Sequence, residues 1–238
     1  MRRFARIGLK SCAAAGVAAL TLGLLATPTA SAQQSFNFSI GGFTPRAEDA
    51  RSPDDVLVNN LDFLAFNIKD FNSVAVGGEY LAGLGDIFEA GLGVGFQTRT
   101  VPTVYLNFVN ANGTEIEQEL KLRVIPVTAT IRLLPLGHHA SVVPYLGAGV
   151  GIFNWRYTET GQFLATDNTI FRGNFLGSGS ATGPVILGGI RVPVGGGGVG
   201  GEIRYQSAKG DLPTDQGFSG TKIDLGGFTY AFTLNFRF

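Results

Sequence analysis

The sequence predicts an all-β fold, an eight-stranded antiparallel up-and-down transmembrane β-barrel. Three observations support this prediction. Strand-length segments that alternate large apolar with small or polar residues recur along the chain. The composition combines 35 glycines and 19 phenylalanines with only 15% charged residues, which suits neither a disordered chain nor an ordinary water-soluble domain. After the amino-terminal export signal, no apolar stretch approaches the ~18 residues that a transmembrane helix needs.

Residues 1–32 have the pattern of a cleaved secretory signal peptide. The chain starts with four basic residues and no acidic one: Arg2, Arg3, Arg6 and Lys10. The apolar run from Cys12 to Leu25 that follows is too short to span a bilayer as a helix. Ala30-Ser31-Ala32 then matches the small residues that signal peptidase accepts. We predict cleavage after Ala32, which leaves residues 33–238 as one outer-membrane barrel domain.

Removal of the signal changes the chemistry that the chain can support. Cys12 is the only cysteine and is lost, which excludes disulfides, thiolate metal sites and a cysteine nucleophile. Four of the 18 basic residues are also lost, so 14 remain against 18 acidic residues, a net charge of 4 negative. Nothing in this balance suggests nucleic-acid binding.

The alternation is most regular at the end of the chain. One face carries large apolar residues: Phe228, Tyr230, Phe232, Leu234, Phe236 and Phe238. The other face carries small or polar residues: Gly227, Thr229, Ala231, Thr233, Asn235 and Arg237. This pattern predicts a strand between lipid and a tight, hydrated interior.

Seven similar segments precede this strand, each close to the ~10 residues that cross a membrane when tilted. They cover approximately residues 35–43, 74–84, 88–97, 118–134, 144–157, 182–194 and 199–207. In the fourth, Leu120, Leu122 and Val124 alternate in the opposite phase to Ile125 and Val127. We therefore expect a bulge or bend near Pro126, which cannot donate a ladder hydrogen bond.

The connections alternate between short and long, as periplasmic turns and extracellular loops do in outer-membrane barrels. The short ones are Gly85-Asp86, 135–141 and 195–198, and the long ones are 44–73, 99–116, 158–180 and 208–224. Asn112-Gly113 in the second long connection is typical of a turn. The stretch from Val56 to Phe71 is more apolar than a loop should be, so we expect a short helix or strand extension there.

On this architecture the chain resembles the small bacterial outer-membrane β-barrel family of OmpA-type and OmpW-type barrels. The segment from Val143 to Gly151 and the terminal Phe-Thr-Leu-Asn-Phe-Arg-Phe238 carry the resemblance, which covers residues 33–238. It implies the outer membrane of a diderm bacterium, contact with its lipids and lipopolysaccharide, and an assembly machinery that reads Phe236 and Phe238. It also implies anchoring, a narrow passive channel for small or apolar molecules, or adhesion through loops, and no catalytic residue is carried over.

Charged residues at inward positions form the most specific candidate site. They are three glutamates and four arginines: Glu79, Glu89, Glu202, Arg132, Arg191, Arg204 and Arg237. Either sign alone in a narrow barrel would cost several kcal/mol per ion, so we expect opposite charges to pair. Ion pairs that plug the lumen are the favoured interpretation, and a selectivity gate is the alternative.

Other motifs favour structural interpretations. The glycines of Gly91-x-Gly-x-Gly95 repeat every second residue, which suits a bare strand face and not a dinucleotide loop. His138-His139 are interpreted as residues of a surface turn and lack a third metal ligand, and Ser141 nearby makes no triad. Acidic residues of the loops, Glu48, Asp49, Asp54, Asp55, Glu115, Glu117 and Glu119, are interpreted as solvated charge, with divalent cation binding as the alternative. We therefore predict a monomeric, non-enzymatic protein without cofactor, and a barrel-type lipid-modifying enzyme is the third alternative after a structural or transport role and loop adhesion.

Overall fold

The computed structural model describes residues 33–238, and the predicted signal peptide and its cleavage site lie outside this range. Eight strands form a closed barrel in which each strand pairs with its neighbours in the chain and the last pairs with the first. The barrel strands are β1 (Gln34–Pro45), β2 (Ser73–Gly83), β3 (Phe88–Val109), β4 (Glu115–Leu133), β5 (Val143–Leu164), β6 (Ile170–Val194), β7 (Gly197–Gln206) and β10 (Gly227–Arg237). Two short strands, β8 (Lys209–Asp211) and β9 (Lys222–Asp224), form a separate hairpin.

All neighbouring barrel strands are antiparallel, and the predicted fold class is confirmed. The barrel closes where Ser35 of β1 pairs with Arg237 of β10 and Phe38 pairs with Leu234. Among residues 33–238, no helix has both the length and the apolar character needed to span a bilayer.

The two faces of each strand follow the predicted alternation. In β10, Phe232, Leu234 and Phe236 are exposed on the outside, whereas Thr233 and Asn235 are buried in the lumen. The outward apolar run covers about nine residues in most strands, for example 88–96 in β3 and 228–236 in β10, which matches the length of a tilted membrane-spanning strand. We call this belt of outward apolar side chains the apolar band.

The expected bulge near Pro126 is wrong. β4 keeps one register with β3 from Val127, opposite Val94, to Val124, opposite Gln97, and Pro126 lies directly opposite Phe153 of β5. What changes along β4 is the surroundings of its two faces. Beyond the apolar band the interior is apolar and buries Leu120 and Val124, while the outside faces water with Lys121 and Arg123. The register irregularity of this strand pair lies further out, between Val104 and Val109 of β3.

Two of the four predicted long loops are also largely strand. β3 and β4 continue to a tight turn at 110–114, and β5 and β6 continue to another at 165–169. Gly113 adopts a positive φ of 81° in the first turn, where the Thr114 backbone N–H donates to Asn112 Oδ1. The expectation of turn chemistry at Asn112-Gly113 is therefore confirmed, and the two hairpins project well beyond the apolar band.

The other two long connections fold into the mouth of the barrel. Residues 46–72 contain α1 (Val56–Asn60) and a 3-10 turn (Ile68–Phe71), as the apolar character of this stretch predicted. The connection between β7 and β10 contributes the β8–β9 hairpin, and Asp55 bridges to Lys222 of β9. We call residues 46–72 and 207–226 together the cap.

The cap shares one hydrophobic core with the upper barrel wall. The cap residues of this core are Val56, Leu57, Leu64, Ile68, Phe71, Ala208, Leu212, Ile223 and Leu225. The barrel residues are Val101, Leu120, Val124, Phe153, Trp155, Tyr157, Ala181 and Val185. This core explains why the inner face of β4 becomes apolar above Pro126.

Candidate functional site in the barrel lumen

Six of the seven lumen charges lie at inward positions of five strands, because each occupies the small or polar phase of its strand. Glu79 of β2, Glu89 of β3, Arg132 of β4, Arg191 of β6 and Glu202 of β7 are all buried. Arg204 is partly buried two residues after Glu202 on the same face of β7. The two-residue period of a strand therefore predicted which side of the wall each charge occupies.

Four of these charges form one network in the middle of the barrel. Arg132 contacts Glu79 and donates from Nη2 to Glu202 Oε2 at 3.0 Å. Arg204 Nη2 lies 2.9 Å from Glu202 Oε1 and 3.2 Å from Glu79 Oε2. Each carboxylate thus accepts from both arginines, and the two charge signs balance.

A second pair closes the end of the lumen near Gln33 and Phe238. Arg191 donates from Nη1 and Nη2 to the two oxygens of Glu89, at 2.9 Å and 3.0 Å, in the bidentate geometry that a guanidinium favours. His138 Nδ1 lies 3.4 Å from Glu89 Oε1. The interpretation of His138 as a surface-turn residue is wrong, because the 134–142 turn folds it back so that it is only 5% exposed. His139 does lie on the surface.

Arg237 does not join either group. In the described part of the chain it forms no ion pair, and its Nη2 is buried without a hydrogen-bond partner. Six of the seven residues therefore form ion pairs in this structure, and Arg237 forms none among residues 33–238. It lies at the open edge of the barrel, where β10 ends.

Tyr145 joins the two groups and was missing from the sequence-based site. Its hydroxyl donates to Glu202 Oε2 at 3.1 Å, and its ring lies 4.8 Å from the Arg132 guanidinium and 5.6 Å from that of Arg191. A cation over an aromatic face is stabilised by the ring quadrupole, which helps to compensate the Arg132 nitrogens that lack hydrogen-bond partners. Tyr145 lies on the inward face of β5 together with Gly147, and this position in the alternation was the signal that could have identified it.

A small cavity lies at the upper side of this lower barrier. Its volume is about 60 Å³, and its lining mixes polar residues such as Asn37, Gln97 and Thr128 with apolar ones such as Pro126 and Ala231. Such a volume holds only a few water molecules.

The cap carries its own buried polar contacts. Asp55 accepts from the backbone N–H groups of Leu57 and Val58 as the N-cap of α1, and Arg51 Nη2 donates to it at 3.1 Å. The interpretation of Asp55 as solvated loop charge is wrong, because it is fully buried. Asp54, by contrast, is partly exposed, and the nearby Ser52 side chain lowers the pKa of its carboxyl group.

Glu159 of β5 is a buried carboxyl group that the sequence analysis missed. It lies well beyond Ile152, the last apolar residue on the outer face of β5 below the cap. Asn60 Nδ2 of α1 donates to its Oε1 at 2.7 Å, and the Tyr157 hydroxyl donates to the same atom at 2.9 Å. Burial raises the pKa of Glu159, because it disfavours the charged carboxylate more than these two hydrogen bonds favour it. The predicted strand ended at residue 157, so the inward phase was not extended to this residue.

Neither a hydrolytic site nor a metal site emerges from these residues. In the part of the chain that the structure describes, His138 Nε2 has no hydrogen-bond partner, so it forms no pair with a nucleophile. Among residues 33–238, no group of three or more His, Cys, Asp or Glu side chains is arranged to hold a metal ion.

Several solved structures are similar to this chain in fold at low sequence identity. Neisserial surface protein A shares 10% identity with a TM-score of 0.46, over 87% of this chain and 97% of its own. The chain is similar in fold to outer-membrane barrels. The amino-terminal β-barrel domain of Pseudomonas aeruginosa OprF shares 12% identity at a TM-score of 0.39, covering 86% and 97% of the two chains. The Escherichia coli outer membrane protein W shares 13% identity at 0.40, covering 88% and 100%. No protein-family model and no curated protein matches the sequence.

Proposed function

We propose that this protein is an integral outer-membrane barrel with a structural role, which anchors a folded extracellular cap and keeps its lumen closed. The apolar band is the observation that carries this proposal. Outward side chains such as Ile131, Val150, Ile186 and Phe232 are at least half exposed on a closed barrel. A continuous exposed apolar surface of this extent is incompatible with water and is the defining outer surface of a membrane barrel.

Two barriers across the lumen favour the structural role over open passage. The charge network and Tyr145 fill the lower half, and the apolar core of the cap fills the upper half. A conducting pore needs a continuous hydrated path, whereas the cavity at the upper side of the charge network is only about 60 Å³. In this conformation the lumen has no open passage, and the barrel serves to anchor the cap in the membrane.

The orientation follows from the connections. Both ends of the barrel chain lie on the side of the short turns, which we assign to the periplasm. The cap and the two projecting hairpins then lie outside the cell. Phe236 and Phe238 lie at the periplasmic rim, where we propose that the assembly machinery reads them.

Reconstitution tests this proposal. The refolded mature chain should insert into phosphatidylcholine vesicles, with the hairpin turns at 110–114 and 165–169 accessible to protease and the strands protected. Planar-bilayer recordings should show no steady conductance. Failure to insert would refute the membrane assignment, and a stable ohmic channel from the wild-type protein would refute the closed state.

A surface-interaction role is the second candidate, favoured by one observation. Leu106, Phe108 and Val109 at the tip of the β3–β4 hairpin are each about half exposed although they lie beyond the apolar band. Exposed apolar side chains at the far end of a projecting element are typical of a contact surface. Replacement of all three by serine should abolish binding to a partner surface while leaving insertion unchanged.

A further inference from the structure

Three cations cluster on the outer surface of the barrel just beyond the apolar band. Arg123 of β4 and Arg156 of β5 are directly opposite each other in the strand register, and both are exposed. Lys121 lies two residues before Arg123 on the same face of β4 and is exposed as well. We call these three residues the basic cluster.

The cluster lacks compensation from within the barrel. Like charges directly opposite each other on adjacent strands are destabilising. None of the three residues forms an ion pair within residues 33–238, whereas six of the seven lumen charges do. The facing side chains on either side are neutral, with Thr98 beside Arg123 and Ser178 beside Arg156. The arrangement therefore presents positive charge and hydroxyl groups to a ligand outside the barrel.

The position of the basic cluster relative to the apolar band indicates which class of ligand it binds. On β4 the last outward apolar residue is Ile125, next to Arg123, and on β5 only Asn154 separates Ile152 from Arg156. Residues at this level lie where the headgroups of the outer leaflet begin. Guanidinium groups bind phosphate through paired N–H donors, and a lysine adds a point charge.

We propose that Arg123, Arg156 and Lys121 bind the phosphate groups of an anionic lipid in the outer leaflet. The proposal rests on the membrane insertion proposed above. A lipid is favoured over a soluble anion because Ile125, Val127 and Ile152 form an apolar strip directly below the cluster, alongside which acyl chains of the same molecule lie. The two parts of the surface thus match the two parts of one amphipathic ligand.

Lipid titration of the purified mature protein tests the site. The wild-type barrel in neutral detergent is titrated with diphosphorylated lipid A, and bound lipid is measured by native mass spectrometry. Arg123→Gln/Arg156→Gln should weaken binding by about twenty-five-fold, because each cation near a charged membrane surface contributes about fivefold. Arg172→Gln/Lys209→Gln removes two exposed cations away from the cluster and should bind lipid A as the wild type does.

Each outcome bears on the proposal. Unchanged binding by the Arg123/Arg156 variant, or an equal loss in the control, would overturn it. Equally effective competition by inorganic phosphate would also overturn it, because a lipid site should prefer the amphipathic ligand. If the double variant does not refold, the single variant Arg156→Gln should still bind lipid A more weakly. Wild-type protein that inserts into vesicles without preferring lipid A refutes only the site, whereas protein that does not insert refutes the proposed function as well.

Discussion

Arg132 shows how single residues close this barrel. Its side chain is fully buried, yet it contacts two carboxylates and lies over the Tyr145 ring. An unpaired ion in this position would cost several kcal/mol, so Arg132 is tolerated only because Glu79 and Glu202 are present. The lumen charges consequently depend on one another, and their effects on stability should not be additive.

Neutralisation of one member of the network should therefore cost more than neutralisation of two. Glu79→Gln leaves Arg132 and Arg204 to share Glu202, and we expect a loss of about 3–5 kcal/mol of unfolding free energy. Glu79→Gln/Arg132→Gln keeps the charges balanced and should cost less than Glu79→Gln alone. Urea unfolding of the refolded barrels in vesicles measures both. Strictly additive losses would show that the two residues do not interact.

Glu159 should make the cap sensitive to pH. Its folded pKa is raised by burial, so the stability that the neutral carboxyl group contributes is fully present below its unfolded value, about 4.3, and is lost as the pH rises through the higher folded pKa. Trp155 is the only tryptophan and is buried in the core that the cap completes, so acrylamide quenching of its fluorescence reports cap opening. Quenching should increase with pH over this window.

Glu159→Gln provides the control for this pH dependence. The amide keeps an acceptor oxygen for Asn60 and Tyr157 but does not ionise in this range. Quenching of Trp155 in this variant should be independent of pH. An undiminished pH dependence would assign the effect to another group.

At the scale of the element, β4 and β5 each pass through two environments. In the lower part the outer face is apolar and the lumen polar, and in the upper part this relation is inverted because the cap fills the interior and water surrounds the outside. The strand period is continuous throughout, since a pleated strand has no means of changing faces without a bulge. Leu120 and Val124 are therefore core residues of the cap and not lipid-facing residues.

Arginine substitutions on one face of β5 should distinguish the two environments. Val150→Arg places a charge within the apolar band and should destabilise the barrel by about 2–4 kcal/mol. Thr160→Arg, on the same face but beyond the band and opposite Glu119 of β4, should have an effect below about 0.5 kcal/mol. Unfolding free energies in vesicles provide the comparison. Equal losses would mean that the band does not end between these residues.

The cap should open without loss of the barrel when Asp55 is removed. Asp55→Ala leaves Arg51 buried without its carboxylate and removes the N-cap of α1, so we expect the cap to lose about 3–5 kcal/mol. Trp155 should become accessible to acrylamide while urea unfolding of the barrel is nearly unchanged. Asp49→Ala, an exposed residue of the same connection, serves as the control and should leave Trp155 protected.

For the whole molecule, two independent barriers mean that loss of one should not open a pore. The charge network spans the lower lumen through contacts between β2, β4 and β7, and the cap closes the upper lumen from outside. None of the lumen charges belongs to the hydrophobic core that the cap shares with the upper wall. A barrel closed in this way is suited to hold surface structures in the membrane.

The last residue should matter to assembly more than to the finished fold. Phe238 is 74% exposed, and its backbone N–H donates to Gln34 across the closing strand pair. Deletion of Phe238 should reduce the amount of protein in the outer membrane without reducing its synthesis, whereas the same variant refolded in detergent should unfold like the wild type. Normal outer-membrane levels of the variant would refute the proposed recognition role.

The strand pattern by itself determined the eight-stranded barrel and its inner and outer faces, and it predicted that the lumen charges occupy inward positions. These features follow from a two-residue period, which is a local property of the pleated backbone and can be read without knowing what lies beside each strand. The pattern also indicated a short helix or strand extension within 56–71, because apolar residues in a loop need a core to cover them, and the structure has the helix.

Only the tertiary structure decided what fills the two ends of the lumen. His138 and Asp55 looked like surface residues because their burial depends on turns that fold back into the barrel from elsewhere in the chain. Along β4 the apolar residues move from the outer to the inner face, and the sequence pattern was interpreted as a bulge for the same reason. The residues that cover Leu120 and Val124 come from the cap. Such contacts join residues far apart in sequence, and the local alternation of residues along a strand does not predict them.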